Sequence, residues 1–306
     1  MKLSARKKKK KIVKSRKKLF GLFFLPLLAV LLVAVGGYLY YQSRAIPELN
    51  EENQMTVLPA DVATVLGAKT GPKVTSPAPI RIPILVFHYV EYPQDKNDTI
   101  RISLTTIPSI LEAQIETLKA AGYTFITPSD LVPALNGKVK NFPKKPIILS
   151  FDDGYMDLYT DVFPILKQEK VKAVTYIIVD FLNRPNFLFS FQLEDLAKSP
   201  LIEIGAHTMD HVALKGMSKD ATWYQIAQSR IDLQKELHLP ITSFAYPYGS
   251  FDQQTIDLVK QAGFTNAVST LPGIKDTVDN KYYLYRLHPG YLTGQELLNF
   301  LAQDKF

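Results

Sequence analysis

Two adjacent carboxylates follow a short apolar segment near the middle of the chain. Residues 146–151 read Pro-Ile-Ile-Leu-Ser-Phe, and Asp152, Asp153 and Gly154 come directly after them. An apolar run of this length predicts a strand that is buried on both faces, as in a parallel sheet covered by helices. Because neighbouring strand residues point to opposite sides, we expect one carboxylate to bind a metal ion and the other to move a proton. The alternative is a turn that only ends the strand and caps the following helix.

A pair of histidines, His207 and His211, lies further along the chain. Their i, i+4 spacing predicts that both imidazoles lie on one face of a helical turn and can share one ion. Imidazoles suit zinc and other first-row divalent metals, and one carboxylate would complete a three-ligand site with room for water. Thr208 occupies the position where a His-Glu-x-x-His protease has its glutamate, so the base must come from elsewhere. The pair of aspartates is the obvious source.

Three segments resemble the motifs of one enzyme family. Ser-Phe-Asp-Asp-Gly at 150–154 and His-Thr-Met-Asp-His at 207–211 are similar to the first two motifs of the polysaccharide deacetylases, which are metal-dependent carbohydrate esterases. Phe-Ala-Tyr-Pro-Tyr-Gly at 244–249 resembles the third motif. The resemblance runs in order over roughly residues 81–306.

This resemblance implies a role for each polar residue of the motifs. Asp152 would be the general base, and the metal would be bound by Asp153, His207 and His211. The backbone N–H of Tyr248 would help to bind the oxyanion, and Tyr246 would contribute to substrate binding. One position departs from the pattern, because many members carry an arginine where this chain has Ala245. The third motif is instead similar to the branch that deacetylates poly-N-acetylglucosamine and related surface glycans.

The reaction also needs an acid that protonates the leaving amine, and two histidines are candidates. His88 ends the first predicted strand, at 84–88, and His288 follows the last one, at 283–287. A closed barrel makes its first and last strands neighbours, so either histidine could reach the same site. Many family members have this histidine late in the chain, whereas the poly-N-acetylglucosamine branch has it on the first strand. We therefore prefer His88, with His288 as the alternative.

Strands alternate with helices from residue 81 onward, which predicts one α/β domain with a parallel sheet. Both a doubly wound sheet and a closed β/α barrel fit this alternation. The candidate residues follow the carboxyl ends of different strands, as active-site residues of barrels do. The family resemblance implies a distorted, seven-stranded (β/α) barrel, which is the fold that we expect. Helices are expected at 103–121 and 218–237, and a capping box at 250–253 is expected to open another.

The first 41 residues differ in composition from the rest of the chain. Residues 1–18 hold eleven Lys and Arg and no acids, so the net charge of +7 conceals a remainder with 25 basic and 29 acidic residues. Residues 19–41 are uncharged, and as a helix they would span about 34 Å, enough to cross a ~30 Å hydrocarbon core. The basic tail and the tyrosines at the other end predict a retained anchor with a cytoplasmic N-terminus. A cleaved signal peptide is the alternative.

The expected domain order follows from these features. It is a basic cytoplasmic tail at 1–18, a transmembrane anchor at 19–41, an extracellular linker with five prolines at 42–80 and the deacetylase domain at 81–306. We expect a protein of the plasma membrane that contacts membrane lipid through its anchor. Nucleic acid is not an expected partner, because the basic tail precedes a membrane span. The sequence has no cysteine, which excludes disulfides and cysteine-ligated zinc.

The family resemblance, together with the predicted anchor, implies an extracellular N-deacetylase that hydrolyses the acetamides of N-acetylglucosamine units. The substrate would be poly-N-acetylglucosamine or peptidoglycan, and one divalent ion would be the cofactor, with zinc, cobalt or nickel all suited to the ligands. The products would be acetate and a glucosamine unit. The alternative is a catalytically weak or inactive glycan-binding protein of the same fold. Ala245 is compatible with an inactive protein, because the usual arginine partner of the base is missing at this position.

Overall fold

A parallel sheet lies at the centre of residues 78–303, the part of the chain that the computed structural model describes. Its strands are β2 (Ile84–Phe87), β3 (Thr124–Phe125), β4 (Pro146–Phe151), β5 (Ala173–Ile177), β6 (Ile202–Ala206), β7 (Ser243–Ala245) and β8 (Asn266–Val268). A separate antiparallel pair consists of β1 (Ile80–Arg81) and β9 (Lys275–Asp276). The predicted tail and anchor, residues 1–41, lie outside the described residues, and β1 straddles the predicted boundary at residue 80.

The sheet curls so that its first and last strands come close together. Its strands follow the order β2-β4-β5-β6-β7-β8, all parallel, and β3 pairs with the beginning of β4. Residues 284–287 run between the two edges, where Leu284 pairs with Val268 and Leu287 pairs with Leu85. The expected β/α architecture is confirmed in this form, a curled parallel sheet. The predicted last strand, at 283–287, forms two isolated parallel pairings and no regular ladder.

Alternation along the strands separates two apolar layers. On β4, Ile147, Leu149 and Phe151 belong to the large core under the helices, whereas Ile148 belongs to a smaller cluster. This smaller cluster includes seven residues from five strands and the segment 284–287: Ile84, Ile148, Val174, Tyr176, Ala245, Val268 and Leu284. It is therefore the interior of the curled sheet. Asp152 continues the interior alternation of β4.

Nine helices within residues 78–303 cover the sheet or connect its strands. They are α1 (Thr99–Leu104), α2 (Pro108–Ala120), α3 (Pro128–Leu135), α4 (Phe163–Glu169), α5 (Ser190–Lys198), α6 (Lys219–Trp223), α7 (Ser229–Leu237), α8 (Gln253–Gln261) and α9 (Gly294–Ala302). A π-helical turn at Leu158–Val162 leads into α4, and another at Tyr224–Gln228 joins α6 to α7. The predicted helix at 218–237 is therefore confirmed, with a π turn inside it. Within the described residues, no helix is both long enough and apolar enough to cross a membrane.

Two predicted helix starts are wrong for local reasons. The helix expected at 103–121 is two helices, because Thr105 pairs with Tyr89 in a parallel bridge and Ile107 is extended before Pro108. The capping box at 250–253 does not form. Asp252 caps α8 instead, with its side chain accepting a hydrogen bond from the backbone N–H of Thr255.

Candidate active site

The carboxylate of Asp153 and the imidazoles of His207 and His211 converge beyond the carboxyl ends of β4 and β6. Oδ1 of Asp153 lies 3.4 Å from Nε2 of His207 and 3.3 Å from Nε2 of His211. One ligand atom from each residue lies within 4.8 Å of the others. Two imidazole nitrogens and one carboxylate oxygen suit zinc and related divalent ions. These three residues, which the sequence motifs predicted, could therefore hold a metal ion.

Two further observations fit a cation at this position. Oδ1 of Asp153 is buried and has no hydrogen-bond partner among the residues that the structure describes, a costly arrangement unless the oxygen binds something else. Nδ1 of His207 lies 2.8 Å from the carbonyl oxygen of Ala245. Because a carbonyl only accepts, Nδ1 carries the proton, and Nε2 of the neutral ring is left as the ligand atom.

Residues 207–211 form a loop, so the predicted helical turn is wrong. Thr208 and His211 have φ values of 67° and 56°, in the left-handed region. The backbone N–H of His211 donates to Oγ1 of Thr208 over 2.9 Å, which closes the loop. The two imidazole rings nevertheless meet, with centroids 5.0 Å apart. The predicted pairing of the histidines is present, but a loop of special backbone geometry produces it.

Asp153 is the central residue of a tight turn. Its φ is 74°, and the backbone N–H of Gly154 donates to the carbonyl of Asp152 over 3.0 Å, which is the bonding of a γ-turn. A left-handed φ is strained for a residue other than glycine, and such strain is concentrated at functional sites. The turn interrupts the strand alternation, so that both carboxylates lie at the same end of the sheet with different partners.

Asp152 is held by an arginine that the sequence motifs did not indicate. Arg286 donates from Nη1 to Oδ1 of Asp152 over 2.7 Å and from Nη2 to Oδ2 over 2.8 Å. Both side chains are buried, and Nε of Arg286 donates to the carbonyl of Ser269 over 2.7 Å. This bidentate pair holds the carboxylate of Asp152 in place and favours its ionised form. The segment 284–287 is mostly apolar, and Arg286 lies on the same face of it as the interior residue Leu284. A charged residue at such an interior position was the signal that could have identified Arg286.

Electrostatics keep both carboxylates ionised. Burial raises the pKa of Asp152, but the charge and hydrogen bonds of Arg286, with the charges of His207 and His88, together outweigh this effect, so the net shift is downward. Burial also opposes ionisation of Asp153, whose pKa is nevertheless lowered, chiefly by His211 and His207. Burial lowers the pKa of His211 to about 4, so this imidazole is neutral at physiological pH. Both changes favour the deprotonated forms that metal ligands need.

His88 lies near both carboxylates, and His288 lies near His88. The charge of His88 acts on Asp152 and Asp153. Nδ1 of His88 is buried without a hydrogen-bond partner among the described residues, whereas His288 is exposed. Both histidines therefore remain candidates for the acid, and only His88 presents an orphaned ring nitrogen.

The two tyrosines of the third motif occupy different environments. Tyr248 has a φ of 57°, and its half-buried ring lies 4.6 Å from the ring of His211. Tyr246 is 0% exposed, and its hydroxyl donates to the carbonyl of Tyr282 over 2.8 Å. The expected substrate contact of Tyr246 is therefore wrong, since this side chain belongs to the core. The role of the Tyr248 N–H stays a prediction.

Residues 139–267 match the sequence profile of the polysaccharide deacetylase family. These residues have the sequence features of a polysaccharide deacetylase domain. Members of this family are hydrolases that act on carbon–nitrogen bonds other than peptide bonds. The matched residues include both carboxylates, both histidines of the cluster and the third motif.

Relatives of this deacetylase domain include proteins from several bacteria. The chain is 27% identical over 209 residues to YxkH of Bacillus subtilis (strain 168), a protein named as a polysaccharide deacetylase. The matched residues cover 68% of this chain and 71% of that protein. It is 28% identical over 192 residues to the poly-beta-1,6-N-acetyl-D-glucosamine N-deacetylase of Staphylococcus aureus (strain MRSA252), covering 58% of this chain and 66% of that protein. The structure of the Streptococcus pyogenes deacetylase PplD in complex with acetate superposes with a TM-score of 0.67 at 25% identity, over 74% of this chain and 99% of that one.

Three residues of interest lie outside the part of the domain that matches the family profile. His88 precedes the matched residues, and Arg286 and His288 follow them. The fold brings them to the deacetylase motifs because residues 284–287 lie between β8 and β2. Asp152 and the three candidate metal ligands therefore come from the middle of the domain, and Arg286, the partner of Asp152, comes from its end.

Proposed function

We propose that the chain is a metal-dependent N-deacetylase that hydrolyses the acetamides of N-acetylglucosamine units in a cell-surface polysaccharide. One observation carries this proposal. An ionised carboxylate, Asp152, is held rigidly by Arg286 directly beside a cluster, centred on Asp153, that could bind a metal ion. A binding protein has no need for such a base next to such a cluster.

The ligands of the ion would be Asp153, His207 and His211. When bound, a divalent ion there supplies Lewis acidity toward an acetamide carbonyl and toward water. Zinc fits this donor set, and cobalt or nickel could replace it.

The protein's own residues would carry the proton transfers. Asp152 takes a proton from the attacking water, and its pairing with Arg286 keeps the carboxylate ionised and oriented for this task. The amide nitrogen must be protonated as the carbon–nitrogen bond breaks, and we assign this step to His88, with His288 as the alternative. The backbone N–H of Tyr248, a residue whose ring lies beside that of His211, would stabilise the charge that develops on the carbonyl oxygen.

Arg286 bears on the alternative of an inactive glycan-binding protein. That reading depended on Ala245, because the usual arginine partner of the base is missing there. Ala245 lies in the interior layer, and Arg286 supplies a bidentate guanidinium to the base from another strand position. The specific argument for inactivity is therefore removed, and hydrolysis is the reading that the site supports best.

The relative from Staphylococcus aureus favours poly-β-1,6-N-acetylglucosamine over peptidoglycan as the substrate.

Location outside the cell, on an anchor at residues 19–41, also belongs to this proposal and depends on the basic tail and the apolar run. A protease added to intact cells should then cleave the chain after residue 42 and spare its N-terminal tail. Protection of the catalytic domain would overturn the location.

The proposed activity is tested by acetate release from the purified protein. Poly-β-1,6-N-acetylglucosamine and peptidoglycan are each incubated with untreated protein, with chelator-treated protein, and with chelator-treated protein supplied with zinc, cobalt or nickel. We expect acetate from the first glycan, loss of activity with chelator and recovery with metal. The variant Asp152→Asn is the matched control for contaminating hydrolases. Absence of acetate from both glycans with metal-loaded protein would refute the proposal.

A further inference from the structure

Two exposed phenylalanines, Phe189 and Phe191, lie where the loop that follows β5 runs into α5. Phe189 is 40% exposed and Phe191 is 65% exposed. Their rings stack, with centroids 5.9 Å apart and an angle of 14° between the ring planes. Phenylalanine has no polar group to bind water, and exposed apolar surface of this kind often marks a binding site. The chemistry described above uses neither ring.

The loop that follows β5 contacts both loops of the candidate metal site. Near its start, the backbone N–H of Val179 donates to the carbonyl of Thr208, in the histidine loop, over 3.2 Å. Near its end, the N–H of Leu188 donates to the carbonyl of Gly154, in the turn that presents the carboxylates, over 3.0 Å. Phe189 is the next residue, so the stacked pair begins at the edge of the candidate active site.

Side-chain hydrogen bonds hold the backbone of the stacked pair in place. Oδ1 of Asn183 accepts from the N–H of Ser190 over 3.0 Å, and Nδ2 of Asn183 donates to Oγ of Ser190 over 3.0 Å. The N–H of Asn183 donates to the carbonyl of Leu188 over 2.9 Å. The N–H of Phe189 donates to Oε1 of Gln192 over 2.9 Å. A loop that is ordered in advance loses little conformational freedom when a ligand binds to it.

The size of the exposed pair indicates what it can bind. The exposed parts of the two rings amount to roughly 200 Å². A stable protein–protein interface needs about 800 Å² from each partner, so these rings alone are too small for one. A single sugar unit matches them better. The C–H groups on the face of a pyranose ring can pack on the partly negative face of an aromatic ring, and the hydroxyls at its edge stay in water.

We propose that Phe189 and Phe191 form a subsite for a sugar unit next to the unit that is deacetylated. In a polysaccharide, further units extend from the one whose acetamide reaches the carboxylates, and the loop that follows β5 presents the rings beside that position. This inference rests on the proposed function and extends it. It predicts that the protein prefers a polymer over a single sugar unit because of contacts outside the metal site.

The test is glycan binding without turnover. Full-length protein in detergent, stripped of metal, is bound to immobilised poly-β-1,6-N-acetylglucosamine and, in parallel, to peptidoglycan. Phe189→Ala and Phe191→Ala should each weaken binding by about 3- to 10-fold. Phe191→Tyr keeps the aromatic face and should bind like the unchanged protein, whereas Phe191→Leu should resemble Phe191→Ala. Tyr224→Ala is the matched control, since Tyr224 is 52% exposed in the helical turn between α6 and α7.

Kinetics of the metal-loaded protein provide a second measurement. Phe191→Ala should raise KM for the polymer, because it removes a contact made in the bound substrate. Its kcat/KM on an aryl acetate should equal that of the unchanged protein, because that small ester has no neighbouring sugar unit. Loss of activity on the aryl acetate would assign Phe191 to the reaction centre instead and would overturn the inference.

The outcomes separate this inference from the proposed function. Binding by both alanine variants within about twofold of that of Tyr224→Ala would overturn the inference, whether or not acetate is released. Equal binding by Phe191→Leu and Phe191→Tyr would overturn the role of ring stacking. Weaker binding by the alanine variants, with thermal melts unchanged, in a protein that releases no acetate would support the inference and refute the hydrolysis. If the unchanged protein binds neither glycan, the inference fails, and acetate release decides the function separately.

Discussion

Asp152 and Asp153 are neighbours in the sequence with different electrostatic partners. Asp152 is locked to Arg286, whereas Asp153 faces His207 and His211 with an oxygen that has no hydrogen-bond partner among the described residues. A bidentate guanidinium keeps a carboxylate ionised and uses one lone pair on each of its oxygens, whereas Oδ1 of Asp153 has no such partner. The proposed roles of Asp152 as the base and Asp153 as a metal ligand are based on these contacts.

Replacing each aspartate by asparagine should separate the two roles. Asp153→Asn should lose metal together with activity, because a neutral amide is a poor ligand. Asp152→Asn should keep about one metal ion per chain and lose turnover by about 10²–10⁴-fold, the usual contribution of a general base. Metal content by elemental analysis and acetate release measure the two effects. Normal metal content in both variants would refute the ligand assignment.

A comparison of two substrates should identify the acid. His88→Ala should lower kcat on the glycan, because the amine leaves only when protonated, and should leave metal content unchanged. On an aryl acetate the loss should shrink, since that leaving group needs no proton. His288→Ala is the matched variant and should do less on the glycan. If His288→Ala is the more damaging on the glycan and recovers on the aryl acetate, the acid is His288.

At the scale of elements, the loops that end β4, β6 and β7 hold the strained residues of the site. Non-glycine residues with positive φ occur in each of them: Asp153, Thr208, His211 and Tyr248. Strands provide a rigid frame, and their C-terminal loops provide the unusual directions that converging side chains need. The folded protein tolerates backbone strain at these four residues because the buried sheet beneath them determines where each loop begins.

Gly205 on β6 tests how closely the interior layer is packed. A Cβ atom at this position would lie 2.5 Å from Cδ1 of Tyr176 and 2.9 Å from the carbonyl oxygen of Ser243. Gly205→Ala should therefore lower the free energy of unfolding by about 1–3 kcal/mol through overpacking. Because β6 leads directly into His207, zinc affinity should fall as well. Urea unfolding and zinc titration measure the two effects, and a stability equal to that of the unchanged protein would contradict the packing argument.

At the scale of the whole molecule, a buried carboxylate far along the chain from the motifs links stability to pH. Asp276 on β9 is 0% exposed, and burial raises its pKa from 3.8 to about 7 despite hydrogen bonds to Oδ1 from Asn280 and from the backbone N–H of Tyr285. Between these pH values the folded protein holds a proton that the unfolded chain has released. This group therefore reduces stability as the pH rises from about 4 to about 7.

Asp276→Asn should remove this pH dependence, because an amide does not titrate. The variant should be more stable than the unchanged protein at pH 8, by at most on the order of 4 kcal/mol, and the advantage should be smaller at pH 5 and disappear only below about pH 4. Urea unfolding of the two metal-free proteins at both pH values measures the difference. A stability difference that is the same at pH 5 and pH 8 would show that the carboxyl group of Asp276 does not titrate as described. Asp152 acts with the opposite sign, since its lowered pKa favours folding above its unfolded value and loses that effect on acidification.

The local chemistry of this protein could be predicted from short segments of its sequence. The apolar run 146–151 ending in two carboxylates, the histidine pair and the strand–helix alternation are properties of short segments, and they predicted the metal cluster and the α/β architecture. β4 is buried at all six positions, as its composition predicts. Such features can be recognised locally because side-chain periodicity and residue type act over a few residues.

Only the tertiary structure decided which distant residues complete the site. Arg286 lies 134 residues from Asp152 in the sequence, and their contact depends on how the sheet curls and on where residues 284–287 enter it. The burial of Tyr246 and the loop geometry of residues 207–211 likewise depend on packing against other strands. The physical reason is that a side chain's partners are set by the closure of the whole sheet, which no local pattern specifies.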